Sequence, residues 1–432
     1  MTGRPPLFLG IDLGTSGCRA CAIDAAGRTV AQSSAALPAP LRPAPGWSEQ
    51  DPELWWAALT GVVTGLPAGV RAAVAAVAVD GTSGTLLLAD ESGRPTGPAL
   101  LYDDARACEQ AGALARVAPP DAAVHSPSSS LAKALWLLAR PHAGGRRMLH
   151  QADWVLGRLT ARYGGSDENN ALKLGYDPVA RCWPAWVSAA GCPADLLPEV
   201  RPVGSPVAPL APDVAKGLGL RPGTVAVAGT TDSTAGAIAA GAAASGDGVT
   251  TLGSTLVVKV LSDRPVFAAR YGVYSHRLGD RWLAGGASNS GGAVLRQYFR
   301  DDELVALSAR IDPGQPSPLD YYPLPRPGER FPVADPTLPP RLEPRPADAA
   351  AFLHGLLEGM ARIETLGYRR LAELGAPYPL RVLTTGGGAI NATWTAIRAR
   401  LLGVPVTAVE DRGAAYGAAL LARQGLARQR PR

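Results

Sequence analysis

Short turns drawn from glycine, acidic and hydroxyl residues occur at five places in the sequence, each after an apolar run. Glycine lets backbone amides approach an anion closely, and serine and threonine add hydroxyl donors. Turns of this composition indicate binding of phosphate groups beside acidic side chains. They lie at residues 12–16, 80–84, 229–232, 253–255 and 386–388.

The common phosphate-binding signatures are missing from the chain. It contains no G-x-x-x-x-G-K-[ST] motif and no G-x-G-x-x-G motif after a strand. A P-loop or a dinucleotide-binding turn is therefore not expected. The turns at 12–16 and 253–255 instead predict two hairpins, one in each half of the chain, that hold a nucleotide between them.

Apolar strands must carry these turns, and strands alternate with helices in both halves. The run from Leu7 to Asp12 and the run that ends at Ile23 predict a β-hairpin with a glycine- and hydroxyl-rich tip. Asp51 and Asp348 are expected to be helix N-caps. Further strands are predicted at 74–79, 85–88, 225–228, 249–251, 256–260, 282–284, 382–383 and 405–409. Further helices are predicted at 103–117, 130–139, 152–160, 232–240, 391–402 and 413–422, and residues 323–346 are predicted to lack regular structure.

This alternation predicts an α/β fold of two lobes, residues 1–245 and 246–432, with a nucleotide and sugar cleft between them. The 432 residues are 47% hydrophobic with a net charge of +5. The sequence has no run of eighteen or more apolar residues, so no membrane-spanning helix is expected. It also has no run of five or more basic residues, so no nucleic-acid-binding arm is expected. The N-terminus predicts no signal peptide, and five sparse cysteines favour the reduced cytoplasm. Cys18 and Cys21 are expected to pack, and the histidines show no metal-ligand spacing.

In their order along the chain, these motifs resemble the FGGY carbohydrate kinases, within the actin-like ATPase superfamily. The resemblance runs from residue 7 to about residue 423. It implies two actin-like (ribonuclease H-like) lobes. The motifs that carry it are Gly10-Ile11-Asp12-Leu13-Gly14-Thr15-Ser16, Gly229-Thr230-Thr231-Asp232-Ser233-Thr234-Ala235, Thr251-Leu252-Gly253-Ser254-Thr255, Gly328-Glu329-Arg330-Phe331-Pro332, Gly386-Gly387-Gly388-x-x-Asn391 and Ala414-x-x-Gly417-Ala418-Ala419.

Within the family, residues 80–85 and 167–177 are most similar to the short D-ribulose-kinase-like members of bacteria and plant plastids. Thr82-Ser83 stands where glycerol kinases carry an Arg-Glu pair and xylulose kinases a Met-His pair. The resemblance therefore implies ATP-dependent phosphorylation of D-ribulose to D-ribulose 5-phosphate. The alternatives are a kinase of D-xylulose, L-ribulose or glycerol, or an actin-like ATPase switch without sugar chemistry.

The resemblance also implies roles for individual residues. Asp232 is expected to be the general base and to contact the sugar, together with Asp12 and Ser83. Asp12 is expected to hold Mg²⁺ through water. The expected partners are ATP and a small sugar, with no nucleic acid or membrane, in a monomer or homodimer. The expected ATP contacts are Gly14, Thr15, Ser16, Gly253, Ser254, Gly387, Gly388, Asn391 and Trp394.

Simpler structural readings stand beside these roles. Asp12 can cap a turn, Asp232 can cap a helix, and Ser83 can be an ordinary turn hydroxyl. Other polar residues near the motifs can contact the sugar or be structural. For Asp103, Asp104 and Arg106 the simpler reading is a solvated helix N-terminus; for Asn169 and Asn170 it is a structural turn; for Trp55 and Trp56 it is the core and edge of a helix.

Overall fold

The computed structural model describes residues 5–140, 147–410 and 412–429. The chain forms two compact units. The first contains the chain up to Ala239 and the chain from Arg412 onward, and the second contains residues 240–411. The predicted division into 1–245 and 246–432 differs from these units, because the last helix packs with the first unit.

The first unit is built mainly from strands, with helices between them. Its strands are β1 Leu7–Leu13, β2 Gly17–Ile23, β3 Thr29–Ala36, β4 Glu49–Gln50, β5 Val74–Gly81, β6 Leu86–Ala89, β7 Ala99–Leu100, β8 Arg147–His150, β9 Gly165–Asp167, β10 Glu199–Arg201, β11 Pro206–Pro209 and β12 Val225–Thr231. Its helices before Ala240 are α1 Pro52–Thr64, α2 Ala68–Arg71, α3 Cys108–Leu114, α4 Ser130–Leu138, α5 Gln151–Thr160, α6 Ala185–Ala189, α7 Pro212–Leu218 and α8 Asp232–Ala239.

The second unit has six strands and four α-helices in the part of the chain that the structure describes. The strands are β13 Asp247–Leu252, β14 Leu256–Ser262, β15 Tyr274–Leu278, β16 Arg281–Ser288, β17 Arg381–Thr385 and β18 Val406–Ala408. The helices are α9 Gly292–Leu295, α10 Asp301–Ser308, α11 Ala349–Glu373 and α12 Ala392–Leu402. Short 3-10 turns occur at Ala171–Leu174, Ala194–Leu196, Ala269–Tyr271 and Gly387–Ile390, and the last helix of the chain is α13 Gly413–Gln429.

The two units repeat one five-stranded arrangement, to which a sixth strand is added at opposite edges, β11 in the first unit and β15 in the second. The six-stranded sheet of the first unit has the order β11-β12-β5-β1-β2-β3, and that of the second has β15-β16-β14-β13-β17-β18. In each, two antiparallel pairings join three strands, β3-β2-β1 or β16-β14-β13. Two parallel strands then follow, β5 and β12 or β17 and β18. The prediction that the second half repeats the plan of the first is confirmed.

Helix α13 lies directly against the backbone of the first sheet. A Cβ atom built on Gly10 of β1 would stand 1.9 Å from the carbonyl oxygen of Ala415. One on Gly417 would stand 1.9 Å from the carbonyl oxygen of Ala235 in α8. Glycine at both positions is therefore required by close backbone approach. This packing explains why the end of the chain belongs to the first unit.

Local signals located most elements correctly. The Asp51 carboxylate accepts a hydrogen bond from the amide of Glu53, and the Asp348 carboxylate caps α11 through the amides of Ala350 and Ala351. The helix predicted at 103–117 is wrong over its first turn, because α3 begins only at Cys108. The residues before it form a buried polar network instead of a solvated helix N-terminus.

Candidate active site

Three acidic residues lie at one edge of the first sheet. Asp12 of β1 is the parallel register partner of Asp80 of β5, and Thr230 of β12 is the partner of Asp80 on its other side. Asp232 follows β12 directly as the first residue of α8. The parallel strands end together, so the sheet brings these three carboxyl groups to one place.

Asp80 is the most deeply buried of the three and is fully inaccessible to solvent. Neither of its carboxyl oxygens accepts a hydrogen bond from a donor among the described residues. Burial raises the pKa of Asp80 well above its usual range, and the nearby charges of Asp12 and Asp232 raise it further. A protonated Asp80 could donate to the Asp12 carboxylate, which explains how two acids are accommodated side by side.

Asp12 is paired with a basic residue from the neighbouring strand. It is nearly buried, with 6% of the residue exposed, and it accepts a hydrogen bond of 3.1 Å from Arg19 of β2. Asp12 and Arg19 are antiparallel register partners. The Asp12 carboxylate therefore does more than cap the turn that follows it.

The hairpin tip beside Asp12 is accessible to a ligand. Gly14 and Thr15 are half-buried and Ser16 is exposed. The turn is closed by a hydrogen bond of 3.0 Å from the Gly14 amide to the Gly17 carbonyl oxygen, and Gln50 donates to the Thr15 carbonyl oxygen. The geometry leaves the Thr15 and Ser16 side chains at the surface of a fixed turn, as a phosphate contact requires.

Asp232 is half-buried at the start of α8, and its Oδ1 accepts a bond of 2.6 Å from the amide of Ser233. Its negative charge is close enough to raise the pKa of Asp80. The carboxylate thus combines a helix-terminal position with proximity to Asp80.

The turn after β5 holds Ser83 in a fixed position. Thr82 donates both its amide and its hydroxyl to Gln151 Oε1, each at 2.9 Å. Lys133, fully buried, donates to the carbonyl oxygen of Gly84. Ser83 Oγ is inaccessible and has no hydrogen-bond partner among the described residues. A hydroxyl without a partner on a rigid turn keeps an unused capacity for hydrogen bonding.

Several polar residues considered as sugar contacts have structural partners. Asp104 is fully buried and accepts from the amide of Ser48 at 2.6 Å and from Arg106. Arg106 also pairs with Glu49 and lies 3.7 Å over the ring of Trp47. For Asp104 and Arg106 the expectation of a solvated helix N-terminus is wrong, because their charges are satisfied inside the first unit. Asp103 is half-buried and accepts a hydrogen bond of 2.7 Å from the exposed Arg42.

Two further readings are settled by contacts. Asn169 donates to Thr230 Oγ1 at 2.9 Å, and both Asn169 and Asn170 lie in a turn that Asp167 caps through their amides. Trp55 is fully buried and donates to Gln50, whereas Trp56 is half-buried, so the helix reading of this pair is confirmed.

The second unit contains a separate cavity of about 600 Å³. It is lined by the turn at Gly253 and Ser254, by α9 and α10, and by the segment from Gly387 to Trp394. Two exposed aliphatic side chains, Val305 and Ile390, contribute apolar surface at 71% and 87% exposure. An apolar cavity with glycine-rich walls suits a flat heteroaromatic base.

Ser254 lies beside the guanidinium group of an arginine that lines this cavity. Its Oγ accepts a hydrogen bond of 2.7 Å from Arg296, which also lines the cavity. The Gly253 amide donates to the Thr255 carbonyl oxygen, which closes the hairpin turn between β13 and β14. Sequence reasoning missed Arg296, since a single arginine outside a motif carries no signal. Arg19 was missed too, although its cross-strand pairing with Asp12 could have revealed it.

The last residues of the cavity wall have mixed roles. Asn391 caps α12 by accepting from the Trp394 amide at 2.9 Å, and its side-chain amide donates to Ser308 at 2.8 Å. Trp394 is 3% exposed and donates to the carbonyl oxygen of Leu357, so most of its ring belongs to the core of the second unit. Gly387 and Gly388 add no side chains to this part of the wall, so a ligand could lie against their backbone.

No helix in the described ranges is long and apolar enough to cross a membrane. Among curated proteins, the chain is 27% identical to a xylulose kinase of Escherichia coli, in an alignment that covers 96% of this chain and 90% of the relative. It is 32% identical to a glycerol kinase of Gloeobacter violaceus over 45% of this chain and 41% of the relative.

A solved structure extends the comparison to the fold. The ligand-bound xylulose kinase of Lactobacillus acidophilus aligns with a TM-score of 0.87 at 19% identity, covering 99% of this chain and 90% of that one. The fold is thus the mixed α/β, two-domain sugar-kinase fold of the actin-like ATPase type.

The family itself follows from two domain matches that cover most of the chain. Residues 7–239 match the N-terminal domain of the FGGY family of carbohydrate kinases, and residues 248–424 match its C-terminal domain. These matches agree with the acidic edge of the first sheet and with the glycine-walled cavity of the second unit, and they establish that the chain belongs to the FGGY family of carbohydrate kinases and is an ATP-dependent sugar kinase.

Proposed function

We propose that this sugar kinase phosphorylates D-ribulose to D-ribulose 5-phosphate. The observation that carries the proposal is the turn after β5, where Ser83 Oγ has no hydrogen-bond partner among the described residues and follows the buried Asp80 in sequence. A hydroxyl can donate to one sugar oxygen and accept from another. Thr82 and Ser83 are small, neutral hydroxyl side chains, which suit a neutral polyhydroxyl substrate. They stand where glycerol and xylulose kinases carry larger pairs of side chains.

Asp232 is the proposed general base. Its carboxylate accepts the proton of the C5 hydroxyl as the hydroxyl oxygen attacks the γ-phosphorus of ATP. A new O–P bond forms, the bond from the γ-phosphorus to the bridging oxygen breaks, and ADP leaves. The position of Asp232 at a helix start, beside two other acids, supports this role.

Mg²⁺ is the proposed metal, held by Asp12 through water. The residues fit such a site, because Mg²⁺ is usually bound by one or two carboxylates together with waters and substrate phosphates. Among the described residues, no group of three acidic, histidine or cysteine side chains could cage a metal by itself. When bound, Mg²⁺ would neutralise charge on the nucleotide phosphates.

The remaining proposed contacts belong to ATP. Thr15 and Ser16, with the amides near Gly14, would bind phosphate oxygens in the first unit. In the second unit, the Gly253–Ser254 turn would bind the other phosphates. Adenosine would lie against the backbone of Gly387 and Gly388, beside Asn391 and Trp394. The accessible hairpin tip and the 600 Å³ cavity support these assignments.

D-Xylulose is the second candidate substrate. The xylulose kinase of Escherichia coli aligns with 96% of this chain, whereas the glycerol kinase of Gloeobacter violaceus aligns with 45%. D-Ribulose and D-xylulose differ only in configuration at C3, so discrimination must come from hydroxyl contacts. A site that hydrogen-bonds specific hydroxyls rejects a substrate that leaves its buried polar groups unpaired.

The test is a comparison of kcat/KM for D-ribulose, D-xylulose, L-ribulose and glycerol under one ATP and Mg²⁺ condition, with ADP release as the signal. We expect D-ribulose to lead. Leadership by another sugar would contradict the ribulose proposal and leave the kinase assignment intact. ATP hydrolysis without phosphorylation of any sugar would favour an actin-like switch.

Asp232→Asn tests the proposed base in the same assay. The variant keeps the side-chain size and loses proton acceptance, so we expect kcat to fall about 10²–10⁴-fold. The KM for ATP should stay near the wild-type value. Turnover within a few-fold of wild type would contradict the assignment of the base.

A further inference from the structure

Glu329 is a buried acid in the irregular segment of the second unit. It is 3% exposed, and burial of a carboxylate is costly unless hydrogen bonds compensate. Its oxygens accept from the Ser288 hydroxyl at 2.6 Å and from the Asn289 amide at 2.8 Å. They also accept from the Tyr322 hydroxyl at 3.2 Å and from the amide of Arg330 at 2.9 Å. Glu329 thus binds the chain where β16 ends.

The contacts of Glu329 organise the turn after β16. Ser288 Oγ donates to Glu329 and at the same time accepts from the amide of Ser290 at 3.0 Å. The side-chain amide of Asn289 donates to the carbonyl oxygen of Gly328 at 3.0 Å. The turn is therefore fixed by side chains from a distant part of the sequence.

The turn after β16 also supports the Gly253–Ser254 turn. The amide of Gly292 donates to the Gly253 carbonyl oxygen at 2.9 Å, and the amide of Ala293 donates to the Ser254 carbonyl oxygen at 3.1 Å. A Cβ atom on Gly291 would stand 2.8 Å from the Ser254 carbonyl oxygen. The two backbones are in direct contact, so a displacement of one displaces the other.

We propose that Glu329 is a positioning residue for nucleotide phosphates, acting through Ser288 and the turn after it on the Gly253–Ser254 turn. The inference rests on the proposed phosphate role of that turn. A hydrogen-bonded carboxylate in a closely packed interior holds its partners in one geometry, which a phosphate-binding turn requires. Glu329 itself is not among the residues that line the cavity beside this turn.

Glu329→Gln is the first variant. Its side-chain size is preserved, but its amide group cannot accept from both Ser288 and Asn289. We expect the Kd for ADP, measured by calorimetry, to rise about 10-fold, the size of effect expected when a buried hydrogen bond to a charged group is lost. The Kd for adenosine should change less than twofold, because adenosine lacks the phosphates that the turn would hold.

Asp247→Asn is the matched control. Asp247 is also buried, accepts from the amides of Ala243 and Ala244, and lies at the opposite end of β13 from Gly253. Loss of its carboxylate should destabilise the second unit without changing the ratio of the ADP and adenosine affinities. An equal change in both variants would show only a general loss of stability and would overturn the proposal.

Two further variants separate the possible failures. Ser288→Ala keeps the Glu329 carboxylate and removes one link, so we expect a rise of about threefold in the Kd for ADP even if Glu329→Gln does not fold. Ser254→Ala tests the phosphate role directly. If Ser254→Ala weakens ADP binding and the Glu329 and Ser288 variants do not, the positioning role is wrong. If Ser254→Ala has no effect either, the proposed phosphate site is wrong.

Discussion

Three consecutive glycines in the second unit meet three different environments. Gly386 has a φ of +84°, and a Cβ atom there would stand 2.6 Å from the Leu252 carbonyl oxygen. A Cβ on Gly388 would stand 2.7 Å from the ring of Trp394. At Gly387, a Cβ would meet no atom within 4 Å. Fold stability therefore requires the first and third glycines, and the second is free to serve a ligand.

This difference predicts opposite defects for two valine variants. Gly387→Val should leave the melting temperature close to that of the wild type and raise the KM for ATP about 10-fold, because the side chain enters the cavity where adenosine is proposed to lie. Gly388→Val should lower stability by about 1–3 kcal/mol through overpacking against Trp394 and Leu252. Thermal melts and the KM values for ATP and sugar distinguish them.

An unstable Gly387→Val protein would contradict the steric argument, since the protein itself leaves space there. A stable variant with an unchanged KM for ATP would instead contradict the adenosine assignment. The KM for sugar serves as the internal control and should not change in Gly387→Val.

Residue types alone predicted which acids and turns belong to the site, but not how deeply each side chain is buried or which groups it pairs with. Asp12, Asp80 and Asp232 stand in recognisable motifs because each follows an apolar strand. The complete burial of Asp80 depends on strand pairing that no local motif encodes. The same holds for Arg106, whose partners Asp104 and Glu49 fix it inside the first unit.

At the scale of elements, β9 ends in an acid, Asp167, whose pKa should affect stability. Burial is the largest cause that raises the pKa of Asp167 to about 7, and the negative charge of Asp153 is the next. Hydrogen bonds from Asn170 and Asn169 lower this pKa but do not outweigh the two other effects. Arg201 of β10 is the register partner of Asp167, and His150 Nδ1 lies 2.7 Å from Asp153 Oδ2. The protonated form of Asp167 is thus favoured in the folded state.

The sign of the pH dependence follows from proton binding. Between the unfolded pKa of 3.8 and the folded pKa of about 7, the folded state binds more protons at Asp167 than the unfolded state. The contribution of Asp167 to stability is therefore fully present below pH 4 and is lost as the pH rises towards and past 7. We expect Asp167→Asn to be more stable than wild type at pH 8 by about 1–3 kcal/mol, and to lose this advantage at pH 4.

The replacement is sterically reasonable at this position. Asn170 Nδ2 donates to Asp167 at 2.6 Å, and Asn170 Oδ1 is buried without a partner, so its amide can turn to accept from an asparagine. The pH dependence of stability has the opposite sign for Asp247, because hydrogen bonds from Arg381 lower the pKa of its carboxyl group to about 2. Asp247→Asn should therefore be destabilising at pH 8. Denaturant titrations at pH 4 and 8 measure both, and a pH-independent difference for Asp167→Asn would contradict the argument.

Elements with local signals were predictable, and those without were not. The caps at Asp51 and Asp348 fixed the starts of α1 and α11, because a carboxylate that accepts from early helix amides is a local interaction. Helix α3 starts later than predicted, since the buried contacts of Asp104 hold the preceding residues out of the helix. Helix α13 continues to Gln429, beyond the predicted end at residue 422.

At the scale of the whole molecule, the first unit is discontinuous in sequence. The chain leaves it after Ala239, forms the second unit, and returns from Arg412 onward. Helix α13 then packs on β1 and α8 through glycine contacts. Composition and periodicity identified α13 as a helix of small residues, but they could not show which sheet the helix covers. A fragment that ends at residue 245 would lack this helix.

The contribution of α13 to the stability of the first unit can be measured with three alanine variants. In Gly10→Ala, the new methyl group would meet the Ala415 carbonyl oxygen at 1.9 Å and the Ala419 amide nitrogen at 2.2 Å, so the backbone of α13 must move. Gly417→Ala meets the Ala235 carbonyl oxygen at 1.9 Å and should act in the same way. Each should cost about 3 kcal/mol or more, the upper part of the range for overpacking. Gly61→Ala is the control, because Gly61 is exposed in α1 with no atom within 4 Å of the new Cβ, and it should raise stability by about 0.4–1 kcal/mol. Thermal melts of the full chain measure all three. If Gly10→Ala and Gly417→Ala melt like Gly61→Ala, α13 does not hold the first unit together, and the end of the chain contributes little to the stability of the sheet that carries the acids.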